Sequence, residues 1–156
     1  MTDHTNSDEI TTLNTLTATL IDSVTGYEDA AANIEGSNRF QQLFRERASE
    51  RSRVVEDLRA EVRRLGGNPE DDGSFLGKTH QRFLDLKAAV TGHDEQAVIN
   101  EVERGEDYLK EKFEAALESG ALSGETRTAV EQAYQSVRAG HDQVSALKHG
   151  MEGTRA

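Results

Sequence analysis

The sequence predicts an all-α protein in which four long helices surround one narrow core. Three observations support this fold class. The 156 residues include one proline, Pro69, so the strongest helix breaker is rare. Apolar residues recur three and four positions apart over several long stretches, which is the spacing of amphipathic helices. A composition of 35% hydrophobic and 30% charged residues suits thin helices that share a core rather than a β-sandwich.

The first half of the chain predicts a helical hairpin. Residues 1–7 are polar, and we expect them to form a disordered tail. The first helix is predicted over residues 8–34, and the Gly-Ser-Asn sequence at 36–38 ends it and caps the next helix. The second helix is predicted over residues 39–65. It ends in Gly-Gly-Asn-Pro at 66–69, where glycine suits a left-handed cap and proline prevents continuation.

The second half predicts a connecting helix and a second hairpin. Ser74 is a good N-cap for a shorter helix over residues 75–90. Two long helices follow over residues 95–118 and 125–149, with a Ser-Gly turn between them. Residues 150–156 read as a loose C-terminal tail.

Two antiparallel hairpins joined by a long crossover that contains an extra helix make a ferritin-type four-helix topology. An ordinary up-and-down bundle would use a short loop at that point. We therefore predict a single ferritin-like domain over residues 8–149.

Charge and composition exclude several classes of function. The formal net charge is −11, so non-specific binding to nucleic acid is not expected. The absence of cysteine excludes disulfides and thiolate metal sites. No apolar run reaches the ~20 residues of a membrane span, and no apolar signal segment follows the N-terminus. We expect a cytoplasmic protein with no nucleic-acid or membrane partner, and a homodimer formed through the crossover helix stays open.

Ionisable side chains interrupt the predicted core near the middle of the bundle. Glu106 lies within the apolar stripe of the helix over residues 95–118, and Glu103 lies at its edge. Arg47 and Arg51 point close to the centre of the inner face of the second helix. A carboxylate directed into a helical core needs an arginine, a hydrogen-bonding network or a metal ion as its partner.

A metal site is one interpretation of these residues. Ferritin-like di-iron sites use a glutamate from each of two helices and Glu-x-x-His from each of the other two. The hairpin geometry brings candidate ligands for iron or manganese to a similar height: Glu28, Glu50, Glu103, Glu106 and His141. The set is incomplete, because Arg53 and Arg138 stand where the motif requires a histidine and a glutamate.

A structural network is the other interpretation, and it uses the same layer. Guanidinium groups suit carboxylates in partly buried positions, because their paired donors match the two carboxylate oxygens. The predicted members of this polar core are Glu28, Arg47, Arg51, Glu106 and His141. In this interpretation arginine neutralises the carboxylates, histidine hydrogen-bonds into the network, and no cofactor is required.

Short segments along most of the chain resemble a known family. They are residues 61–69, 77–82 and 103–107 and the pair His141-Asp142. Together they resemble a bacterial family of ferritin-like four-helix bundles catalogued as a domain of unknown function, over about residues 9–148. The resemblance implies a ferritin-like fold and a likeness to stress-associated ferritin-like proteins. It implies no established activity or substrate.

Two hypotheses for function follow. The first is a non-catalytic structural or interaction module, associated with stress, whose core is closed by arginine. The alternative is a di-iron or manganese protein with oxidase or peroxide-scavenging activity. The sequence offers no nucleophile–base arrangement, so no catalytic residue is assigned.

Overall fold

The computed structural model describes residues 2–33, 38–69 and 95–155. Over these ranges the chain is helical and contains no strand, which confirms the predicted all-α class. The four helices are α1 (Thr2–Asn33), α2 (Asn38–Arg64), α3 (Glu95–Glu118) and α4 (Gly124–Arg155). The helix predicted over residues 75–90 lies outside the described residues.

Two helices extend beyond their predicted ends. α1 begins at Thr2, so residues 2–7 are helical where the sequence predicted a tail. No glycine or proline lies in that stretch to stop the helix. α4 continues to Arg155, through Gly150 and Gly153, where the sequence predicted a loose tail. A glycine inside a helix lowers its stability without ending it.

The end of α2 has the predicted glycine cap. Gly66 adopts a φ of 87°, a left-handed conformation that glycine reaches without strain. The Gly66 amide donates to the Arg63 carbonyl at 3.0 Å, and the Gly67 amide donates to the Val62 carbonyl at 2.9 Å. These two bonds form a Schellman motif, which satisfies carbonyls left open at the end of the helix.

Cross-helix contacts give the directions of the helices within each hairpin. Between α1 and α2, Gln41 donates to the Ala31 carbonyl at one end and Asn14 donates to the Asn68 carbonyl at the other. Between α3 and α4, Lys148 reaches Glu103, and Arg127 donates to the Leu117 carbonyl. Residue numbers rise on one helix as they fall on the other, so both hairpins are antiparallel.

The two hairpins pack so that α2 lies on α4 and α1 lies on α3. Arg47 of α2 contacts Gln143 of α4, and farther along α2 Glu61 contacts Thr126. Tyr27 of α1 bonds to Glu106 of α3. Each helix is therefore antiparallel to both of its neighbours, and α2 and α3 run in the same direction on a diagonal.

The core consists of two apolar clusters with a polar layer between them. Each helix contributes side chains to both clusters, and each is interrupted at the same height: near Ser23 in α1, at Arg51 in α2, at Glu106 in α3 and at Gly140 in α4. One cluster includes Leu13, Leu16, Leu20, Leu58, Leu109, Phe113 and Val137, and the other includes Tyr27, Phe40, Phe44, Ile99, Val102 and Val144.

Candidate functional site

The centre of the polar layer is an ion pair between Arg51 and Glu106. Arg51 lies on the apolar face of α2, and its side chain crosses the bundle to the diagonal helix α3. Its Nη1 donates to Glu106 Oε2 at 2.6 Å, and its Nη2 donates to Glu106 Oε1 at 2.5 Å. The two side chains are 0% and 2% exposed. This is a bidentate, charge-assisted pair that the surrounding helices shield from bulk solvent.

Helix α1 supplies the other partners of this pair. The Tyr27 hydroxyl donates to Glu106 Oε2 at 2.9 Å, and Arg51 Nη1 donates to Ser23 Oγ at 2.7 Å. Burial and the nearby Glu106 charge raise the pKa of Tyr27 well above its ordinary value. Burial alone would lower the pKa of Arg51, but the charge and hydrogen bonds of Glu106 outweigh it, and the pKa is raised. Arginine and tyrosine therefore keep their protons at physiological pH.

A second buried arginine lies one turn before Arg51. Arg47 is 7% exposed, and its Nη1 donates to Glu50 Oε1 at 3.0 Å. Its Nη2 donates to the Gln143 side chain of α4, while Ser136 donates to Glu50 Oε1 at 2.6 Å. Two arginines and two glutamates thus balance one another in this layer.

Gly140 of α4 makes room for both guanidinium groups. A Cβ atom built on this residue would lie 2.8 Å from Arg51 Nη2 and 3.0 Å from Arg47 Nη1. No side chain fits there without moving the arginines. All four helices therefore contribute to the layer, α4 through Gln143, Ser136 and the space left open at Gly140.

Glu28 lies outside this layer, contrary to the sequence prediction. Its side chain is exposed, in a surface groove between α1 and α2 that Arg45 and Ser49 also line. The preceding residue, Tyr27, takes the inward position instead. One residue turns a helix by about 100°, so the carboxylate of Glu28 points along the surface.

His141 and Glu103 do not join the buried pair either. His141 Nε2 lies 2.6 Å from Asp107 Oδ1, and its Nδ1 lies 3.2 Å from Asp142 Oδ1. Glu103 accepts a hydrogen bond from Lys148 at 2.8 Å. Both side chains lie between α3 and α4 on the outer side of the bundle, and each comes directly after a residue that faces the core.

The candidate metal ligands are therefore divided among separate contacts. Glu106 pairs with Arg51, Glu50 with Arg47, and Glu103 with Lys148, whereas Glu28 lies on the surface. Within residues 2–33, 38–69 and 95–155, no three histidine, aspartate or glutamate side chains are grouped so that they could hold a metal ion.

Sequence reasoning missed several members of the layer. Tyr27 was not among the candidate residues, although its hydroxyl is the hydrogen-bond donor that reaches Glu106. Ser23 and Gly140 were not singled out. A glycine inside a helix is costly, so Gly140 carried a signal that something packs closely against it.

The fold and the site define a class: an all-helical bundle protein whose core is divided by a buried arginine–glutamate pair. The chain belongs to the family described as Domain of unknown function (DUF2383), whose profile matches residues 8–119. That match includes Ser23, Tyr27, Arg51 and Glu106, whereas Gly140 lies beyond it. None of the curated proteins matches the chain. No described helix has the length and apolar character needed to cross a membrane.

Proposed function

We propose that this protein is a ferritin-like four-helix bundle that acts as a non-catalytic structural or interaction module. Each helix runs antiparallel to its neighbours, and α2 and α3 run in the same direction, as in ferritin-type bundles. In such a topology the link between α2 and α3 crosses the length of the bundle. The length of the chain between residues 65 and 94 is compatible with that course.

The observation that carries the proposal is the position of the Arg51 guanidinium. It occupies both oxygens of Glu106 at 2.5 and 2.6 Å, at the mid-core height where ferritin-like carboxylate proteins bind metal. A metal cation there would have to displace Arg51 and then remain close to a second guanidinium, that of Arg47. Repulsion between these charges in a buried site opposes metal binding.

Access to the layer also argues against catalysis at this place. Arg51 and Glu106 are 0% and 2% exposed, and Tyr27 is 4% exposed. A substrate would reach these groups only after the helices separated. The layer suits a structural role, in which it sets the register of four helices through bonds that hydrophobic packing alone does not specify.

Metal analysis of the purified protein tests the proposal. The protein is produced in medium with added iron and manganese, and its metal content is measured by mass spectrometry. We expect far less than one ion per chain, and no rise in melting temperature when iron(II) is added without oxygen. A stoichiometric ion in the wild-type protein that is lost in Glu106→Gln would overturn the proposal.

An arginine variant sharpens this test. Arg51→Leu removes the cation that competes for Glu106, and Arg53→Leu removes an exposed arginine two residues away as a matched control. If Arg51 is the group that excludes metal, any gain in metal binding appears in Arg51→Leu and not in Arg53→Leu. Equal metal content in wild type and both variants, at a full ion per chain, would place metal at another site and contradict the proposal.

The cytoplasmic location, the association with stress and the possible homodimer stay predictions of the sequence. A module without catalysis acts through its surface, so its oligomeric state bears directly on its role. Sedimentation of the purified protein measures that state.

A further inference from the structure

The contact between α3 and α4 contains a regular series of polar bonds. Four side chains of α4, spaced seven residues apart, each reach a partner on α3. Seven residues make about two helical turns, so all four lie on one face of α4. The pairs are Arg127 with the Leu117 carbonyl at 2.9 Å, Tyr134 with Glu114 at 2.6 Å, His141 with Asp107 at 2.6 Å, and Lys148 with Glu103 at 2.8 Å.

Only one side chain of this series changes its charge near neutral pH. Arginine, lysine and tyrosine lose their protons above about pH 10, whereas histidine does so near pH 6.5. His141 is 16% exposed, so its ring is largely covered, but protons still exchange with solvent. The His141–Asp107 contact can therefore gain or lose a proton in the physiological pH range, whereas the other three contacts of the series do not.

Both ring nitrogens of His141 face carboxylate oxygens. Nε2 lies 2.6 Å from Asp107 on α3, and Nδ1 lies 3.2 Å from Asp142 on the same helix. Ionised carboxylates only accept hydrogen bonds, and a neutral imidazole has a single N–H to donate. Only the protonated ring can donate to both aspartates. In the neutral ring, one nitrogen lone pair faces a carboxylate oxygen.

The charged groups around His141 favour the protonated ring, as its two aspartate contacts do. Burial lowers the pKa of His141, but hydrogen bonds to Asp142 and Asp107 outweigh it, so that the pKa lies above its ordinary value. Lys110 of α3 opposes the shift, and Arg138 of α4 lies 4.0 Å from Asp142. On the α2 side of α4, Arg47 is paired with Glu50 and Gln143.

We propose that His141 is a pH-sensitive contact between α3 and α4, which holds the two helices together when its ring is protonated and loosens their packing when it is neutral. Its position gives this contact a structural consequence. Asp107 follows Glu106, and His141 follows Gly140, so the contact lies one residue outside the buried arginine layer. Loosening it frees the part of α4 that packs against Arg47 and Arg51.

The direction of the pH effect follows from the raised pKa. A histidine whose pKa is higher in the folded than in the unfolded chain stabilises the fold fully below about pH 6.5. That stabilisation is lost as the pH rises through the folded-state pKa. The contact is therefore closed in mildly acidic conditions and weakened in alkaline ones.

Titration of the five histidines by nuclear magnetic resonance is the first test. The His141 signals are assigned by their loss in His141→Asn. We expect a pKa for His141 above that of exposed His149, and a fall toward the ordinary value in Asp107→Asn, which keeps the size of the side chain but removes its charge. A His141 pKa at or below that of His149 would overturn the proposal.

Amide hydrogen exchange is the second test, because it reports the opening of α4 directly. Protection factors are compared at about pH 5.5 and about pH 8.5 in wild type, His141→Asn and the matched control His149→Asn. In wild type and the control, protection around His141 should fall at the higher pH, about tenfold for each unit by which the folded pKa is raised. In His141→Asn the fall should be smaller by the part that His141 contributes.

A second group, Asp22, titrates in the same pH range, so its effect has to be distinguished from that of His141. Burial raises the pKa of Asp22 to about 7, and the Asp22 Oδ2 atom has no hydrogen-bond partner. Asp22 also weakens the fold as the pH rises, but it is present in all three proteins, so its effect cancels in their differences. An equal pH dependence in wild type and His141→Asn would assign the whole effect to Asp22 and contradict the proposal.

Discussion

Two acid–base pairs lie side by side in this bundle and differ in exposure. Glu106 and Asp107 are consecutive residues of α3; the first pairs with Arg51 and the second with His141. The side chains of the first pair are 0% and 2% exposed, and those of the second are 16% and 52% exposed. One step along the helix separates a pair inside the core from a pair at its surface.

The difference shows how burial assigns roles to similar chemistry. In the core, an unpaired charge is costly, so the partner must be permanently charged, and arginine is the side chain that meets this requirement. At the surface, solvent screens both charges, and a partner that loses its proton is tolerated. In the roles that we propose, the first pair defines the register of the helices, and the second responds to pH.

The largest expected effect comes from breaking the buried pair. Arg51→Ala leaves the Glu106 carboxylate without its cation, and we expect a loss of about 3–5 kcal/mol in the free energy of unfolding. Urea denaturation followed by circular dichroism measures it. Arg104→Ala is the matched control, because Arg104 is an exposed arginine that pairs with Glu101, and the change should stay within about 0.5 kcal/mol.

Replacing both members of the buried pair distinguishes two quantities: the cost of leaving one charge unpaired, and the net contribution of the intact pair to stability. Arg51→Met combined with Glu106→Leu leaves no charge behind, so the double variant should be far closer in stability to wild type than Arg51→Ala is. A double variant as unstable as the single one would show that the layer stabilises the fold by more than neutralising Glu106.

Filling the space beside the arginines should have the next largest effect. Gly140→Ala places a Cβ atom 2.8 Å from Arg51 Nη2, and we expect a loss of about 1–3 kcal/mol from the forced movement. Gly105→Ala, in α3, meets no atom within 4 Å. This control should gain about 0.5–1 kcal/mol from the better helix propensity of alanine. Similar changes in stability in Gly140→Ala and Gly105→Ala would contradict the close packing of the arginines against Gly140.

The smallest of these effects concerns single hydroxyl groups. Tyr27→Phe removes the buried donor to Glu106, and we expect a loss of about 1.5 kcal/mol, typical of a hydrogen bond to a charged group. Tyr134→Phe removes a bond to Glu114 at the surface between α3 and α4 and should cost less. Both are measured by thermal and urea denaturation at neutral pH. A larger loss of stability in Tyr134→Phe than in Tyr27→Phe would contradict the expectation that the buried hydrogen bond stabilises the fold more than the one at the surface.

Local patterns explain which parts of the fold could be predicted. The bounds of α3 agree with the prediction at residues 95 and 118, because the apolar spacing within the helix and the end signals beside it are both local in sequence. The glycine cap of α2 was predicted for the same reason. The start of α1 was placed too late, because polar residues at a chain end were taken as a sign of disorder although nothing there breaks a helix.

The site was predictable only in part. Apolar spacing placed Glu106, Arg47 and Arg51 inward, and the structure has them at 2%, 7% and 0% exposure. The comparison of heights along the hairpins placed Glu28 and His141 in the layer, where Tyr27 and Gly140 lie instead. An error of one residue rotates a side chain by about 100°, which is enough to move it from the core to the surface.

By itself, the sequence determined that a carboxylate at position 106 faces the core, because helical periodicity is a local property of the chain. Only the tertiary structure decided that Arg51 neutralises it and that Tyr27 and Ser23 complete the layer. These partners come from other helices, and their reach depends on the rotation and height of each helix relative to α3. Packing of the whole bundle sets those quantities, so no single segment of the sequence encodes them.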